Sequence, residues 1–152
     1  MPMLPVFIES NNLAAKIINC RQQVNTVKQA CDEMHCTPEE IIKSIVFLDE
    51  KKNCFLAIVL GSDRISVAKL EKAVETKNLK IASEKEIFEI TGYEAGGIPP
   101  IGIFGVRTII DKKVMLKESV IGGGGDNFHL LQISTKELLA NAFEASVEEI
   151  AE

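Results

Sequence analysis

Tryptophan is absent from this 152-residue chain and tyrosine occurs once, so the core it builds must be aliphatic. No window approaches the ~18 consecutive apolar residues of a membrane span. The amino-terminal MPMLPVFIES has no basic segment ahead of an apolar run, which excludes the pattern of a secretory signal; the expected location is the cytoplasm, with no membrane partner. Cysteine is scarce and unpaired. Cys20, Cys31, Cys36 and Cys54 form no CxxC motif, and His35 beside Cys36 lacks the second knuckle of a zinc site. The thiols are therefore read as free, and neither a metal nor another cofactor is expected. Positive charge is also in deficit, with 17 Lys and Arg against 22 Asp and Glu. A net charge of −5 repels a polyanion at long range and disfavours duplex binding, while leaving room for a local basic patch that holds one end of a nucleic acid.

What is present is an ordinary globular composition, 46% hydrophobic and 26% charged, of a length that suits one domain over residues 1–152. AAKIINC is short and apolar enough for a first strand. NTVKQACDEM spaces Val27, Ala30, Cys31 and Met34 as a helix capped by Asn25 or Thr26. Thr37-Pro38-Glu39-Glu40 has the pattern of a capped helical turn with proline at its first position. CFLAIVLG is a buried strand, joined to the one before it as an antiparallel hairpin. Ser66 caps VAKLEKAV, LKIAS is a short strand, and Ser83 with Glu86 forms a capping box for a helix that Gly92 closes. VRTIID, VMLKESVI and HLLQIS read as further strands, and Ser134 caps a last helix with Leu138, Leu139 and Ala142 inward. Irregular alternation with a hairpin predicts an α+β fold with a mixed sheet.

Three stretches carry possible chemistry. In EEIIKSIVFLD, period two places Ile41, Lys43, Ile45 and Phe47 on one face and Ile42, Ser44, Val46 and Leu48 on the other. Both faces are apolar, so Lys43 is anomalous in a buried strand. It either reaches solvent or pairs with a carboxylate such as Glu39, or it points into a pocket and holds an anionic group. In AGGIPP, residues 95–100, glycines allow backbone N–H groups to approach a ligand and prolines keep them aimed, which suits an oxyanion hole; a tight structural turn uses the same residues. GGGGDNFH, residues 122–129, is neither a P-loop nor a dinucleotide fingerprint. It is read as a loop able to approach phosphate, with His129 either packed at its end or part of the site.

Taken in order, IIKSIVF, VLGSDRISVAKLEKAV, KIASEKEIFEITGYEAGGIPPIG, and a glycine loop before LLQIS resemble the YbaK/prolyl-tRNA-synthetase-associated family of aminoacyl-tRNA editing deacylases, from about Ala14 to Phe143. The resemblance implies a single α+β domain with a mixed, mostly antiparallel sheet curled around a pocket and flanked by helices. It implies hydrolysis of the ester between a wrong small amino acid, Cys, Ala or similar, and the terminal ribose of a tRNA, with tRNA-Pro as the expected carrier. The family's strand lysine falls on Lys43, which would line the pocket and hold the terminal adenosine or its phosphate, and its glycine-to-proline loop falls on Gly96 through Pro100, where the N–H of Gly96 or Gly97 would bind the scissile carbonyl. Ile98, Pro99 and Pro100, and across the glycine loop Gly122, Gly123, Gly124, Asp126 and His129, are the expected substrate contacts. The chain departs from the family in a short amino-terminal part and in Gly125-Asp126-Asn127-Phe128, where members that remove cysteine carry a basic loop. Expected partners are the acceptor end of an aminoacyl-tRNA and an aminoacyl-tRNA synthetase. A non-catalytic module of the same fold that holds the acceptor end or a synthetase is the alternative. Lys51, Lys52, Lys112 and Lys113 are exposed basic pairs, read first as solvated surface and second as an aid to tRNA binding.

Overall fold

The computed structural model describes residues 3–152. The hairpin is formed as the sequence implies. Strand β2 (Ile42–Leu48) pairs antiparallel with β3 (Cys54–Leu60), with Lys43 opposite Val59 and Leu48 opposite Cys54. Asp49 shapes the turn between them: its Oδ1 accepts the N–H groups of Lys51 and Asn53, and its Oδ2 accepts from Asn53 Nδ2 and Thr76 Oγ1. Those bonds, the Asn53 side chain's foremost, hold the Asp49 carboxyl below its ordinary pKa.

β2 and β3 are the centre of a five-stranded sheet ordered β4-β2-β3-β5-β8, where β4 is Lys80–Ile81, β5 Arg107–Asp111 and β8 Ser146–Glu148. β5 and β8 add parallel to β3, and β4 adds antiparallel to β2. A second, three-stranded antiparallel sheet is ordered β1-β7-β6, from β1 (Lys16–Asn19), β7 (His129–Ser134) and β6 (Ser119–Gly123). The two sheets are joined where Ile41 bridges to Ile121, within the mixed α+β single domain that the sequence implies.

Alternation along the central strands divides the core. Leu56, Ile58 and Leu60 of β3, with Ile42, Val46 and Leu48 of β2, face the layer between the two sheets, while Phe55, Ala57 and Val59, with Phe47, face helix α3 (Val67–Val74) through Leu70 and Val74. Each fully buried Leu or Ile contributes roughly 1.5–3 kcal/mol relative to exposure. A third cluster, with Ala30 of helix α2 (Val27–Met34), Ile41, Ile121 and Leu130, lies under the join.

The caps follow the sequence. Thr26, Ser66 and Ser134 each accept a hydrogen bond from the backbone three residues on, and Ser83 and Glu86 form the capping box of helix α4 (Glu84–Thr91), which ends in left-handed Gly92. One element has no counterpart in the sequence reading, and two readings are corrected. Met3–Ser10 forms helix α1, despite its proline, because Pro5 falls in the first turn, where its missing N–H is not needed. VMLKESVI is not one strand: Val114–Leu116 is a 3-10 turn and β6 begins at Ser119. In the last helix, α5 (Thr135–Asn141), Leu138 is buried but Leu139 is exposed. Among the described residues no helix is long and apolar enough to cross a membrane, and the four cysteines are free thiols.

Candidate functional site

The register of the two sheets opens a fork. In an antiparallel ladder, residues of a hydrogen-bonded pair direct both N–H and C=O at the partner, and their neighbours direct both away. Gly61 N–H donates to Ile41 C=O at 2.6 Å, so the odd-numbered residues of β2 face β3, and Ile42, Ser44, Val46 and Leu48 present the outer edge. At the far end β4 closes that edge: Ala82 N–H donates to Val46 C=O at 2.9 Å, and Leu48 lies opposite Lys80. At Ile42 and Ser44 no strand among the described residues closes it. The same logic holds across the gap. Gly124 N–H donates to His129 C=O at 3.1 Å, so Ile121 and Gly123 turn their edge toward β2. The two strands touch at the parallel Ile41–Ile121 bridge and then separate.

A cavity of about 250 Å³ occupies this fork, lined by Ile42, Lys43, Ser44 and Ile45 on one side, Gly122 and Gly123 on the other, and Gly96, Ile98 and Leu130 at its mouth and floor. Sequence reasoning missed Val24, Asn25, Thr26, Val27 and Ala30, which wall it from the start of α2. No local signal marks them, since their pattern is that of any amphipathic helix.

Lys43 is half-buried. Burial pushes its ammonium below the ordinary lysine pKa, with Asp63 opposing that shift and Arg64 adding to it. It has no ion-pair partner among the described residues, Glu39 included; Asp63, whose field it feels, is engaged by Lys113 at 3.5 Å. The Ser44 hydroxyl oxygen beside it is shielded from water without a hydrogen-bond partner.

The glycine loops are interlocked, and this explains most of their glycines. A Cβ on Gly97 would stand 2.7 Å from Asp126 Cα, and one on Gly123 would stand 2.2 Å from Ile98 O; Gly125 N–H donates to Gly97 C=O at 2.9 Å. Gly97 N–H is itself engaged by Glu94 C=O at 3.1 Å, so of the two candidate carbonyl clamps Gly97 is occupied. Gly96 differs. It is exposed, holds φ at 89°, presses against Asn25, and its N–H has no acceptor among the described residues. Pro99 and Pro100 are buried behind the cavity, where Pro100 packs toward Gly122.

Gly124, Asp126 and His129 do not join this cavity. His129 sits one residue from Leu130 on β7 and so faces the opposite side of the sheet. With Gly124 and Asp126 it lines a separate cavity of about 510 Å³, closed by Leu4, Pro5, Ile17 and Asn19. His129 Nδ1 lies 2.6 Å from Asp126 Oδ1, which also accepts the Phe128 N–H at 2.8 Å. Partial burial opposes ionisation of Asp126, but these two hydrogen bonds outweigh it and hold the carboxyl below its usual pKa. Of the basic pairs, Lys112 is bound to Glu149 at 2.6 Å, Lys113 to Asp63, and Lys52 to Glu86 at 3.9 Å.

Comparison with known proteins meets this geometry. The chain is 28% identical to a proline–tRNA ligase of Desulfotalea psychrophila over 115 residues, 75% of this chain and 19% of the ligase. It is 30% identical to that of Streptococcus uberis over 111 residues, 72% of this chain and 18% of the ligase. It thus spans about a fifth of these relatives. Among solved structures, a candidate trans-editing enzyme for prolyl-tRNA synthetase superposes with a TM-score of 0.88 at 28% identity, covering 99% of this chain and 95% of the other. A hypothetical protein with the same fold gives 0.88 at 23% identity, covering 99% of both chains. The profile of the aminoacyl-tRNA editing domain matches residues 21–140, and the chain belongs to that family.

Proposed function

We propose that this protein is an aminoacyl-tRNA deacylase, acting on tRNA-Pro that carries a wrong small amino acid such as alanine or cysteine, apart from the synthetase that made the error. The observation that carries the reading is Lys43: a half-buried lysine with no ion-pair partner among the described residues, lining a cavity together with Gly96, whose N–H has no acceptor among those residues. A cation and a backbone donor on residues that line one small cleft suit a phosphate-bearing substrate with a polarised carbonyl.

The ester of an aminoacyl-tRNA is already activated, so positioning and oxyanion stabilisation suffice without a nucleophilic triad. Lys43 holds the terminal nucleotide through its phosphate. Gly96 N–H donates to the carbonyl oxygen as a water adds to the carbon, and the vicinal ribose hydroxyl orients that water. The carbon–ribose-oxygen bond then breaks, the ribose oxygen takes a proton, and the free amino acid leaves. Gly97, Pro99, Pro100 and Gly123 act by fixing the Gly96 loop. The likeness to proline–tRNA ligases supports tRNA-Pro as carrier and prolyl-tRNA synthetase as functional partner.

The test is single-turnover deacylation of tRNAs charged with Ala, Cys, Ser, Thr and Pro, with wild type beside Lys43→Ala. Hydrolysis of one or a few members that collapses in the variant is expected. Binding of tRNA with no turnover across the panel would replace the enzyme by a module that holds the acceptor end.

A further inference from the structure

The four thiols are not placed alike. Cys54 lies apart on β3, where its Sγ donates to Lys52 C=O at 3.5 Å. Cys20, Cys31 and Cys36 all pack against the cluster of Ala30, Ile41, Ile121 and Leu130 under the join of the sheets. Within that group the end of α2 brings two of them together. His35 turns left-handed at φ 53°, and its N–H and that of Cys36 both donate to Cys31 C=O, the second at 3.1 Å. This is the closure by which a helix ends in a Schellman motif, with a side-chain contact between its two ends. Five residues of continuous helix rise about 7.5 Å, beyond the roughly 4.4–6.8 Å between Cα atoms that a disulfide spans. Folding the chain back at His35 removes that excess, and both ends of the closure are cysteines. Burial, then the neighbouring Cys31 thiol and the Glu40 carboxylate, push the Cys36 thiol up to about 11. Both thiols are half-buried, so reagents reach them.

We propose that Cys31 and Cys36 are a reversible redox pair, closed to a disulfide by exchange with a small-molecule disulfide, and that closure shifts the wall of the Lys43 cavity. The Cys31 thiolate attacks one sulfur of the small disulfide, and the departing half takes up the proton that Cys31 gave up. Cys36 then loses its proton and attacks Cys31 Sγ in the mixed disulfide, and the second half leaves as a thiol in turn. Two protein thiols are oxidised and one small disulfide is reduced to two thiols. Because the Cys36 thiol is little ionised at neutral pH, closing and reopening are slow, which suits a lasting response rather than a catalytic cycle. The pair sits at the junction of two walls. Upstream, Ala30 and residues 24–27 line the cavity, and a Cβ on Gly96 would stand 2.6 Å from Asn25 Cβ. Downstream, the 3-10 turn Pro38–Glu40 hands the chain to Ile41 and the Lys43 strand. A bond between two sulfurs is shorter than any contact between them. Closure therefore draws the last turn of α2 toward the Pro38–Glu40 turn and moves Asn25, at the helix's other end, relative to Gly96.

The experiment treats the folded, reduced full chain with glutathione disulfide, blocks the remaining thiols with N-ethylmaleimide, and maps them by peptide mass. The expected product has lost two hydrogens, with Cys31 joined to Cys36 and with Cys20 and Cys54 alkylated; a reducing dithiol restores the four free thiols. Cys36→Ser should stop instead at a glutathione adduct on Cys31. A bridge that uses Cys20, or a wild-type chain that keeps all its thiols or stops at the adduct, overturns the pair. The effect on the wall is read first by hydrogen exchange of the Val27–Met34 amides, which the bridge should slow. Under the deacylase reading above, on which this arm rests, the bridge should also slow single-turnover deacylation roughly 3–100-fold, the scale of a misplacement of up to an ångström. Cys36→Ser should keep wild-type turnover and lose the sensitivity to oxidant. A mapped bridge with unchanged exchange, or with unchanged turnover in an active enzyme, overturns the coupling to the cavity. A bridge with slowed exchange and no cleavage of any charged tRNA in either state removes the deacylase and keeps the redox pair.

Discussion

Two cavities lie on opposite sides of one strand, and neighbouring residues decide between them: Leu130 lines the Lys43 cavity, His129 the other. In the first the charged group lacks a partner and most polar groups are backbone edges. In the second the charged groups satisfy each other, since Asp126 holds both His129 and the Phe128 amide. An unsatisfied cation beside open edges is equipped to bind; a closed acid–histidine pair is equipped to hold a loop. On the proposed reading, that difference puts the chemistry in the smaller cavity and loop support in the larger.

The comparison breaks most directly by mutation of one residue from each side. Lys43→Ala should slow single-turnover deacylation by about 10²–10³-fold, the order seen when one group that stabilises developing charge is removed. His129→Ala should change it by less than about 3-fold, the cost of one modest hydrogen bond. A His129 effect as large as that of Lys43 would mean that the two cavities form one site.

Next in size is the interlock that supports both. Gly123→Ala forces a Cβ against Ile98 O, and Gly97→Ala forces one against Asp126. Each should cost about 1–3 kcal/mol of stability, as overpacking does, measured by urea midpoint. Unchanged midpoints would show that the loops yield independently.

Charge state sharpens the contrast further. Burial lowers the pKa of Lys43 relative to 10.5, so deacylation should decline with rising pH on an alkaline limb below the one an ordinary lysine would give. The sign for stability is opposite. A depressed lysine costs stability while it is protonated and relieves that cost above its folded pKa, so Lys43→Met should raise the urea midpoint at neutral pH while removing activity. A lowered midpoint would show that the ammonium supports the fold.

Two smaller effects concern the exposed surface. Because the chain carries a net charge of −5 and Lys52, Lys112 and Lys113 are held by its own carboxylates, few phosphates should be neutralised. The slope of log K against log salt for tRNA should be no steeper than about −3, from roughly 0.9 per phosphate contact; a slope near −8 would reveal a broad electrostatic interface. Hydrogen bonds from Lys112 and then Lys69 hold the Glu149 carboxyl down to about 2, from an ordinary 4.5. Its contribution to stability should be full above 4.5 and lost as pH falls toward 2. Glu149→Gln should flatten that part of the acid titration slightly, a surface effect of small size.

Much of the fold was legible because its signals are local. Ser66, Ser83, Ser134 and Gly92 mark helix ends by hydrogen bonds that span three or four residues, and the β2–β3 hairpin is written in two apolar runs around Asp49. β8 was missed because Ser146–Glu148 has no pattern of its own and is defined by its parallel place beside β5. Lys43 stood out by burial pattern and the Gly96–Pro100 loop by its composition, while the choice between Gly96 and Gly97 stayed open. The fork could not be read, since it depends on which edge of β2 and β6 lacks a partner, a property of register between segments far apart in the chain. The same blindness merged Asp126 and His129 with the glycines beside them.

The contacts of Gly97 with Asp126, and of Gly123 with Ile98, bear on how such a site can be altered. Neither loop has a shape that is its own, for each is the mould of the other. Transplanting the Gly96–Pro100 segment from a relative alone would set a foreign surface against the resident Gly122–Asp126 backbone. A new substrate range is therefore reached by exchanging the two segments as a matched pair, or by changing the α2 wall, where Val27 and Ala30 border the cavity without belonging to either loop.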